Sequence, residues 1–261
     1  MRILTYNISW ECMTNSSLGS AGKLGNICMQ KSKNNFYCKN NFIHFLKDKF
    51  NNNILYDAIS LQEASNLNDI HLLLPELQNL NYKIFYSISN NEKMITIFNL
   101  NIFKIINFIN GEFKSGRPLQ IFILKNLNTN ENIIYVNLHY CTLNKDFNLC
   151  GNLTNILTYY LKKIEINYSK LYKNYRIILT GDFNHDININ YSNKYNLIQN
   201  ENKLIFKPFA NLNLVQTINP VKTCCYKKEF NSKIEFNSDL IMDSKTTSKN
   251  YLVKIPLFLN E

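Results

Sequence analysis

The sequence predicts an α/β protein in which two β-sheets form a sandwich flanked by helices. Short runs of β-branched and aromatic residues alternate with Asn-rich turns along the chain, and three longer segments carry apolar residues at helical spacing. Strands interspersed with a few helices are typical of such a sandwich. Because no Pro- or Gly-rich linker divides the sequence, we interpret residues 1–261 as one domain.

Each element follows from a local pattern. The predicted strands are Arg2–Ile8, Asp57–Gln62, Tyr82–Ser87, Met94–Phe98, Phe103–Ile109, Leu119–Leu124, Ile133–His139, Arg176–Thr180, Asp239–Asp243 and Tyr251–Leu257. The predicted helices are Phe36–Phe50, Asn68–Leu80 and Leu149–Lys173. Residues 51–53, 126–132 and 184–200 are predicted loops, because Asn tolerates turn conformations and competes with regular backbone hydrogen bonding.

Composition excludes several classes of protein. With 45% hydrophobic and 13% aromatic residues, the chain can bury a core, which a disordered or fibrous protein cannot. We expect no transmembrane segment, since no apolar run reaches about 18 residues, and no secretory signal, since the amino terminus reads as a strand. The seven Cys are irregularly spaced without a C-x-x-C pair, which favours ordinary thiols in a reducing intracellular compartment over a zinc site.

The positive charge has two interpretations. Lys and Arg number 29 against 19 Asp and Glu, so the net charge is +10. Nearly all the cations are Lys in a chain rich in Asn and Ile, a composition typical of AT-rich codons. A positive surface also attracts polyanions such as nucleic acid. The charge therefore permits a phosphate substrate without identifying one.

Polar side chains stand at the ends of five predicted strands. A strand end projects side chains into a cleft while the sheet holds the backbone in place, so such positions suit catalysis. Gly181 permits a sharp turn beside the polar residues that follow it. The polar residues are Asn7, Glu63, Asn137 with His139, Asp182 with Asn184, and Asp239.

The order of these motifs resembles the endonuclease/exonuclease/phosphatase superfamily of deoxyribonuclease-like, metal-dependent phosphoesterases. An Asn is followed by L-Q-E, N-x-H, G-D-F-N and S-D-x-I, and the likeness extends from Arg2 to about Leu257. Shorter segments, including Gly116–Pro118 and Thr223–Cys225, look like a subgroup found in large DNA viruses. The resemblance implies a four-layer α/β sandwich and, for a viral protein, a location in the host cytoplasm or the virion.

The resemblance also implies a metal site and substrate contacts. Glu63 matches the family's metal-binding Glu, with Asn7 beside it as polar support for metal or phosphate. The expected ion is Mg²⁺ or Mn²⁺, because hard oxygen ligands suit such ions and these polarise phosphate oxygens. We assign Asn137 to substrate binding, and Arg117 either to a bidentate phosphate contact or to a solvated loop.

Four further residues match catalytic positions of the family. Asp182 and Asn184 match the pair that aligns the attacking water and the phosphate. His139 matches a phosphate-contacting histidine proposed as general acid on the leaving-group side. Asp239 matches the Asp that orients neighbouring catalytic groups.

One departure from the family divides the functional interpretation. The terminal Asp-His motif reads Lys249-Asn250 here, and Asn cannot act as a base. One hypothesis is a hydrolase with altered or impaired chemistry that recruits His185. The alternative is a non-catalytic protein of the same fold that binds nucleic acid or phosphoesters. An unrelated α/β protein is the third possibility. Nucleic acid is the first expected ligand, other phosphoesters stay open, and the sequence does not specify an oligomeric state.

Overall fold

The computed structural model describes residues 1–8, 37–65, 67–140, 153–164 and 175–182, together with the backbone of six strands between residues 197 and 243. These residues separate into two compact units, one built from Met1–Ile102 and one beginning at Phe103. The expectation that residues 1–261 form a single domain stays a prediction.

The first unit contains a four-stranded mixed sheet with three helices. Strands β1 and β2 run parallel, whereas β2 pairs antiparallel with β4 and β4 with β3, giving the order β1-β2-β4-β3. Its elements are β1 (Ile3–Asn7), α1 (Tyr37–Asn51), β2 (Ala58–Gln62), α2 (Ile70–Leu73), α3 (Glu76–Asn79), β3 (Tyr82–Ser89) and β4 (Glu92–Asn99).

Strand β2 lies at the centre of this unit, and all five of its residues are buried. Helix α1 contributes Phe42, Leu46 and Phe50 to the same hydrophobic cluster as Ile59 and Leu61 of β2. Both faces of this strand are covered, so Ser60 and Gln62 are buried together with its three apolar residues. The core therefore holds the ends of β1 and β2 on a rigid support.

The predicted helix Asn68–Leu80 is wrong as one continuous element. The structure contains two one-turn helices, α2 and α3, separated by Leu74 and Pro75. Proline lacks an N–H and disfavours helical geometry in the residue before it, and Leu74 accordingly has φ −131° and ψ 73°. The apolar spacing indicated a helix, but the proline determines where it breaks.

The second unit contains an eight-stranded mixed sheet, a two-stranded antiparallel sheet and a helix. The larger sheet has the order β5-β6-β7-β8-β14-β11-β10-β9, with β7 and β8 parallel. Its elements are β5 (Phe103–Glu112), β6 (Pro118–Asn126), β7 (Asn132–His139), α4 (Leu153–Lys163), β8 (Tyr175–Asp182), β9 (Leu197–Asn200), β10 (Lys203–Phe209), β11 (Leu212–Thr217), β12 (Cys224–Lys227), β13 (Ile234–Phe236) and β14 (Asp239–Asp243). The predicted α/β class with two mixed sheets is confirmed.

Three details of the prediction differ in this unit. Leu197–Asn200 forms β9 although it was assigned to an Asn-rich loop, because pairing with β10 satisfies its backbone. The sequence also did not predict β10 to β13. Helix α4 ends at Lys163, and Ile164 makes a turn through a hydrogen bond to the Leu161 carbonyl. The predicted strand Tyr251–Leu257 lies outside the described residues.

None of the helices in the described part of the chain has the length and apolar character that a membrane crossing requires.

Candidate functional site

Asn7 and Glu63 form a hydrogen-bonded pair at the ends of β1 and β2, which we call the amino-terminal pair. Asn7 Nδ2 donates to Glu63 Oε1 over 3.0 Å. The two strands are parallel, and Asn7 is in register with Gln62, so the carboxyl ends of both strands reach the same edge of the sheet. The expectation that Asn7 lies beside Glu63 is confirmed, although its role is not tested by this contact.

Glu63 has a backbone conformation that is uncommon for a residue with a side chain. Its φ is +54°, in the left-handed region that costs a non-glycine residue free energy. Backbone hydrogen bonds hold the turn on both sides, since Ala64 N donates to the Lys93 carbonyl over 2.7 Å and Ile8 N donates to the Gln62 carbonyl over 3.1 Å. Neighbouring strands thus fix the direction in which the Glu63 carboxylate leaves the sheet.

The donor chemistry of the amino-terminal pair fits a magnesium ion. Mg²⁺ is commonly held by one or two carboxylates, with water and substrate phosphate completing its octahedral shell. Asn7 contributes its nitrogen to the bond with Glu63, and the other atom of its amide group is a neutral oxygen. Across the described residues, no group of three or more His, Cys, Asp or Glu side chains is suited to a metal. The amino-terminal pair therefore fits a Mg²⁺ site completed by water and substrate phosphate better than a site in which the protein supplies every ligand.

A buried lysine lies in β4, next to the turn at Glu63. The Lys93 side chain is buried, and its ammonium is 5.7 Å from the centroid of the Tyr86 ring. Burial lowers the pKa of Lys93, and the nearby Asp69 carboxylate opposes this shift. This lysine was not predicted, because nothing in a strand pattern distinguishes a buried Lys from an exposed one.

In the second unit, the ends of β7 and β8 bring His139 and Asp182 together. The strands are parallel with these residues in register, and His139 Nε2 is 3.7 Å from Asp182 Oδ2. The two residues are only 2% and 3% exposed, so solvent screens this contact weakly. Their backbones join through Tyr140 N, which donates to the Asp182 carbonyl over 2.7 Å.

Arg117 reaches the same histidine from the hairpin that connects β5 and β6. Its Nη1 contacts His139 Nε2 and also donates to the Tyr140 carbonyl over 2.7 Å. The turn places it there: Phe113 N donates to the Arg117 carbonyl, Gly116 N donates to the Phe113 carbonyl, and Gly116 has φ +79°. We call Arg117, His139 and Asp182 the strand-end triad.

Gly181 permits the close approach of β7 and β8 at the triad. Its φ is +135°, and a Cβ built on it would overlap the carbonyl oxygen of Leu138, the residue before His139. Backbone cannot move aside as the tip of a side chain can. The glycine of G-D-F-N is therefore required for strand contact as well as for a turn.

A row of buried polar side chains lies one step further into the sheet from the triad. Asn137 Nδ2 donates to Gln120 Oε1 over 3.3 Å, and Thr180 Oγ1 donates to the Val136 carbonyl over 2.9 Å. Gln120, Asn137 and Thr180 are all fully buried. Asn137 was assigned from the sequence to substrate binding. The structure places it in this fully buried layer, beneath His139 and Asp182.

Tyr140 packs directly after His139 and lines the triad from the end of β7. Its ring meets Phe113 edge to face at 5.1 Å, and burial raises its pKa to about 12. The phenol therefore remains neutral at physiological pH and adds no charge beside Arg117. Neither Tyr140 nor Gln120 was singled out from the sequence; their position in or just after a strand that carries a catalytic motif was the available signal.

The remaining predicted residues are placed only in part. Asp239 begins β14 and is the backbone register partner of Asp182, so it lies at the same end of the sheet as the triad. Asn184, His185, Lys249 and Asn250 lie outside the described residues. Their assignments stay predictions.

Comparison with known proteins identifies the fold. No protein-family model and no curated protein sequence matches this chain. Among solved structures, truncated Caenorhabditis elegans TDP2 is similar at 13% identity and a TM-score of 0.54, covering 94% of this chain and 84% of its own. The chain has the endonuclease/exonuclease/phosphatase fold of this TDP2 structure. At such low identity, the likeness shows the fold alone.

Other solved structures are similar at TM-scores below 0.5. ANGEL2, a 2′,3′-cyclic phosphatase in complex with adenosine-2′,3′-vanadate, has 15% identity and a TM-score of 0.49, covering 71% of this chain and 54% of its own. An endonuclease/exonuclease/phosphatase from Bacteroides vulgatus has 17% identity and a TM-score of 0.46, and the match covers 71% of this chain and 66% of the Bacteroides chain. The chain spans 64% of the human Nocturnin catalytic domain and 47% of another C. elegans TDP2 structure.

Proposed function

We propose that this chain is a metal-dependent phosphodiester hydrolase that acts on nucleic acid. The observation that carries the proposal is the strand-end triad, in which a carboxylate, an imidazole and a guanidinium converge at the ends of neighbouring strands. Phosphodiester hydrolysis requires an aligned water, neutralised phosphoryl oxygens and a proton for the leaving group. The net charge of +10 favours a polyanionic substrate.

Each residue has a part in this reaction. Glu63 and Asn7 hold the metal ion, which when bound supplies charge neutralisation and polarises a phosphoryl oxygen. Asp182, with Asn184, aligns the attacking water. His139 donates a proton to the leaving oxygen, and Arg117, beside the histidine, binds a phosphate oxygen. Asp239 orients Asp182 through its neighbouring strand.

The test measures hydrolysis of single-stranded DNA, duplex DNA and RNA oligonucleotides by the full chain with Mg²⁺ or Mn²⁺. Asp182→Ala should abolish cleavage, because removal of a catalytic carboxylate typically lowers the rate by about 10²–10⁴-fold or more. Glu112→Gln changes an exposed carboxylate of the same unit and should cleave like the parent. Equal activity in the parent and Asp182→Ala would refute the assignment.

The departure at Lys249-Asn250 supports an alternative, a non-catalytic binder of nucleic acid with the same fold. This alternative predicts salt-sensitive binding without turnover. Lys249→Asp combined with Asn250→His should raise cleavage if these positions replace the family's terminal motif. An unchanged rate would remove the basis for that alignment, and failure to bind at low salt would exclude the binder.

A further inference from the structure

The contact between Arg117 and His139 determines which imidazole nitrogen can carry a proton. A guanidinium has N–H donors and no acceptor. Because Arg117 Nη1 contacts His139 Nε2, this nitrogen must accept the hydrogen bond and cannot itself be protonated. The neutral imidazole then carries its proton on Nδ1, an assignment that follows from the hydrogen-bond partner.

Asp182 favours the opposite state of the same nitrogen. A carboxylate accepts hydrogen bonds only, so it stabilises a proton on Nε2. Its Oδ2 is 3.7 Å from Nε2, beyond hydrogen-bond distance, whereas Arg117 is in direct contact. Since His139 and Asp182 are almost fully buried, the two opposite charges compete for Nε2 with little screening.

We propose that Arg117 is a positioning residue that keeps His139 Nε2 unprotonated in the free protein and releases it when a phosphate engages the guanidinium. This proposal rests on the proposed function, in which His139 supplies a proton from that nitrogen. The released Nε2 accepts a proton from a buffer acid in the solvent, which gives an imidazolium that donates a hydrogen bond to Asp182 or passes this proton to the leaving oxygen. Phosphate binding and preparation of the acid are thereby coupled.

The surroundings of Arg117 suit a movement of its side chain alone. Its backbone carbonyl is fixed by Phe113 N at 2.9 Å, so the hairpin holds the main chain in place. A phosphate offers paired oxygens that match the planar fork of a guanidinium better than one imidazole nitrogen does. Tyr140 stays neutral, with its pKa near 12, and supplies no competing anion.

The experiment observes the imidazole nitrogens directly by nitrogen-15 NMR of the full chain labelled at histidine. The sequence has four His, and His139→Gln identifies the signal of interest. In the free protein at slightly alkaline pH, His139 should carry its proton on Nδ1. Added inorganic phosphate should place a second proton on Nε2, and this comparison needs no change at Arg117.

Arg117→Met should show the Nε2-protonated form without phosphate and should no longer respond to it. Arg176→Met is the matched control, because Arg176 pairs with Glu131 at 3.4 Å in the same unit, and it should behave like the parent. A proton on Nε2 in the free parent, or an Arg117→Met spectrum like that of the parent, would overturn the proposal. The NMR result does not depend on turnover, so phosphate-dependent protonation of Nε2 without any hydrolysis would refute the proposed function and leave the role of Arg117 standing.

Discussion

Asn7 and Glu63 are 56 residues apart in the sequence, yet their side chains share a hydrogen bond of 3.0 Å at the ends of two parallel strands. The bond leaves the Glu63 carboxylate anchored at Oε1, and the strained turn beneath it is held by Lys93 and Gln62 carbonyls. This arrangement orients a carboxylate before any ligand binds, which is the condition for an effective metal ligand.

Under the proposed function, substitution of the amino-terminal pair should change the metal requirement of cleavage. Glu63→Gln should remove metal-dependent cleavage, and Asn7→Ala should weaken metal affinity or activity by about 10–100-fold, because partners that orient a ligand have effects of this size. The measurement is the Mg²⁺ concentration that gives half-maximal cleavage, together with calorimetric titration of Mg²⁺. Asp48→Asn, an exposed acid on α1, is the control. An Asn7→Ala variant with the parent's Mg²⁺ dependence would contradict the proposed supporting role.

The left-handed backbone at Glu63 should make glycine the most stable residue at this position. Glu63→Gly and Glu63→Ala both remove the carboxylate, but only glycine adopts φ +54° without steric cost. Glu63→Gly should therefore exceed Glu63→Ala by about 1 kcal/mol in the free energy of unfolding. Urea denaturation of the two variants measures this difference, and equal stability would show that the backbone relaxes when the carboxylate is removed.

Gly181→Ala should disrupt the triad more than any neighbouring small change. The added methyl would overlap the Leu138 carbonyl, so the strands must separate at His139 and Asp182. We expect a loss of more than about 3 kcal/mol, or failure to fold. Gly111→Ala is the matched control, because its methyl would meet the Tyr160 ring at 2.7 Å and a side chain can move aside. A Gly181→Ala protein as stable as Gly111→Ala would mean that the strand contact is looser than observed.

Tyr82 and Tyr140 should make the fold sensitive to alkali. Burial raises the pKa of each phenol from 10.0 to about 12, and the Asp57 carboxylate adds to the shift at Tyr82. The folded chain keeps these protons in a range where the unfolded chain loses them. Their contribution to stability is therefore fully present below pH 10.0 and is lost as the pH rises through about 12.

The double variant Tyr82→Phe/Tyr140→Phe should consequently lose less stability above pH 10.0 than the parent does. Urea denaturation over a series of pH values measures how the free energy of unfolding changes with pH. The variant also lacks the hydrogen bond from Tyr82 to the Tyr56 carbonyl. The difference in unfolding free energy at neutral pH measures that loss and is subtracted. If the free energy of unfolding of the variant falls as steeply with pH as that of the parent, these phenols ionise as easily in the folded chain as in the unfolded chain.

Local pattern was sufficient to predict most regular elements before residue 183. Strand β4 reads as a buried apolar run and was expected over Met94–Phe98, inside its observed range of Glu92–Asn99. Helix α1 differs from its prediction by one residue at each end. Prediction failed where local signals conflicted: apolar spacing was given more weight than Pro75, and Asn content more weight than the apolar residues of Leu197–Asn200.

The sequence allowed the identities of the candidate residues to be predicted, but not the contacts between them. The order of motifs selected Asn7, Glu63, His139 and Asp182, because each ends a strand that the sequence makes recognisable. It did not indicate that Arg117 would reach His139 Nε2, or that Asn137 would be fully buried against Gln120. Those contacts depend on which strands are neighbours and in what register, and a strand pattern carries neither.

The sequence by itself determined the α/β class, the positions of most strands and the polar residues at their ends, because burial and turn preferences act over a few residues. Only the tertiary structure decided that Arg117 and Asp182 oppose each other at one histidine nitrogen. That relationship arises from residues 65 positions apart that a hairpin and a parallel strand pair bring together, and its chemistry depends on distances that no local pattern specifies.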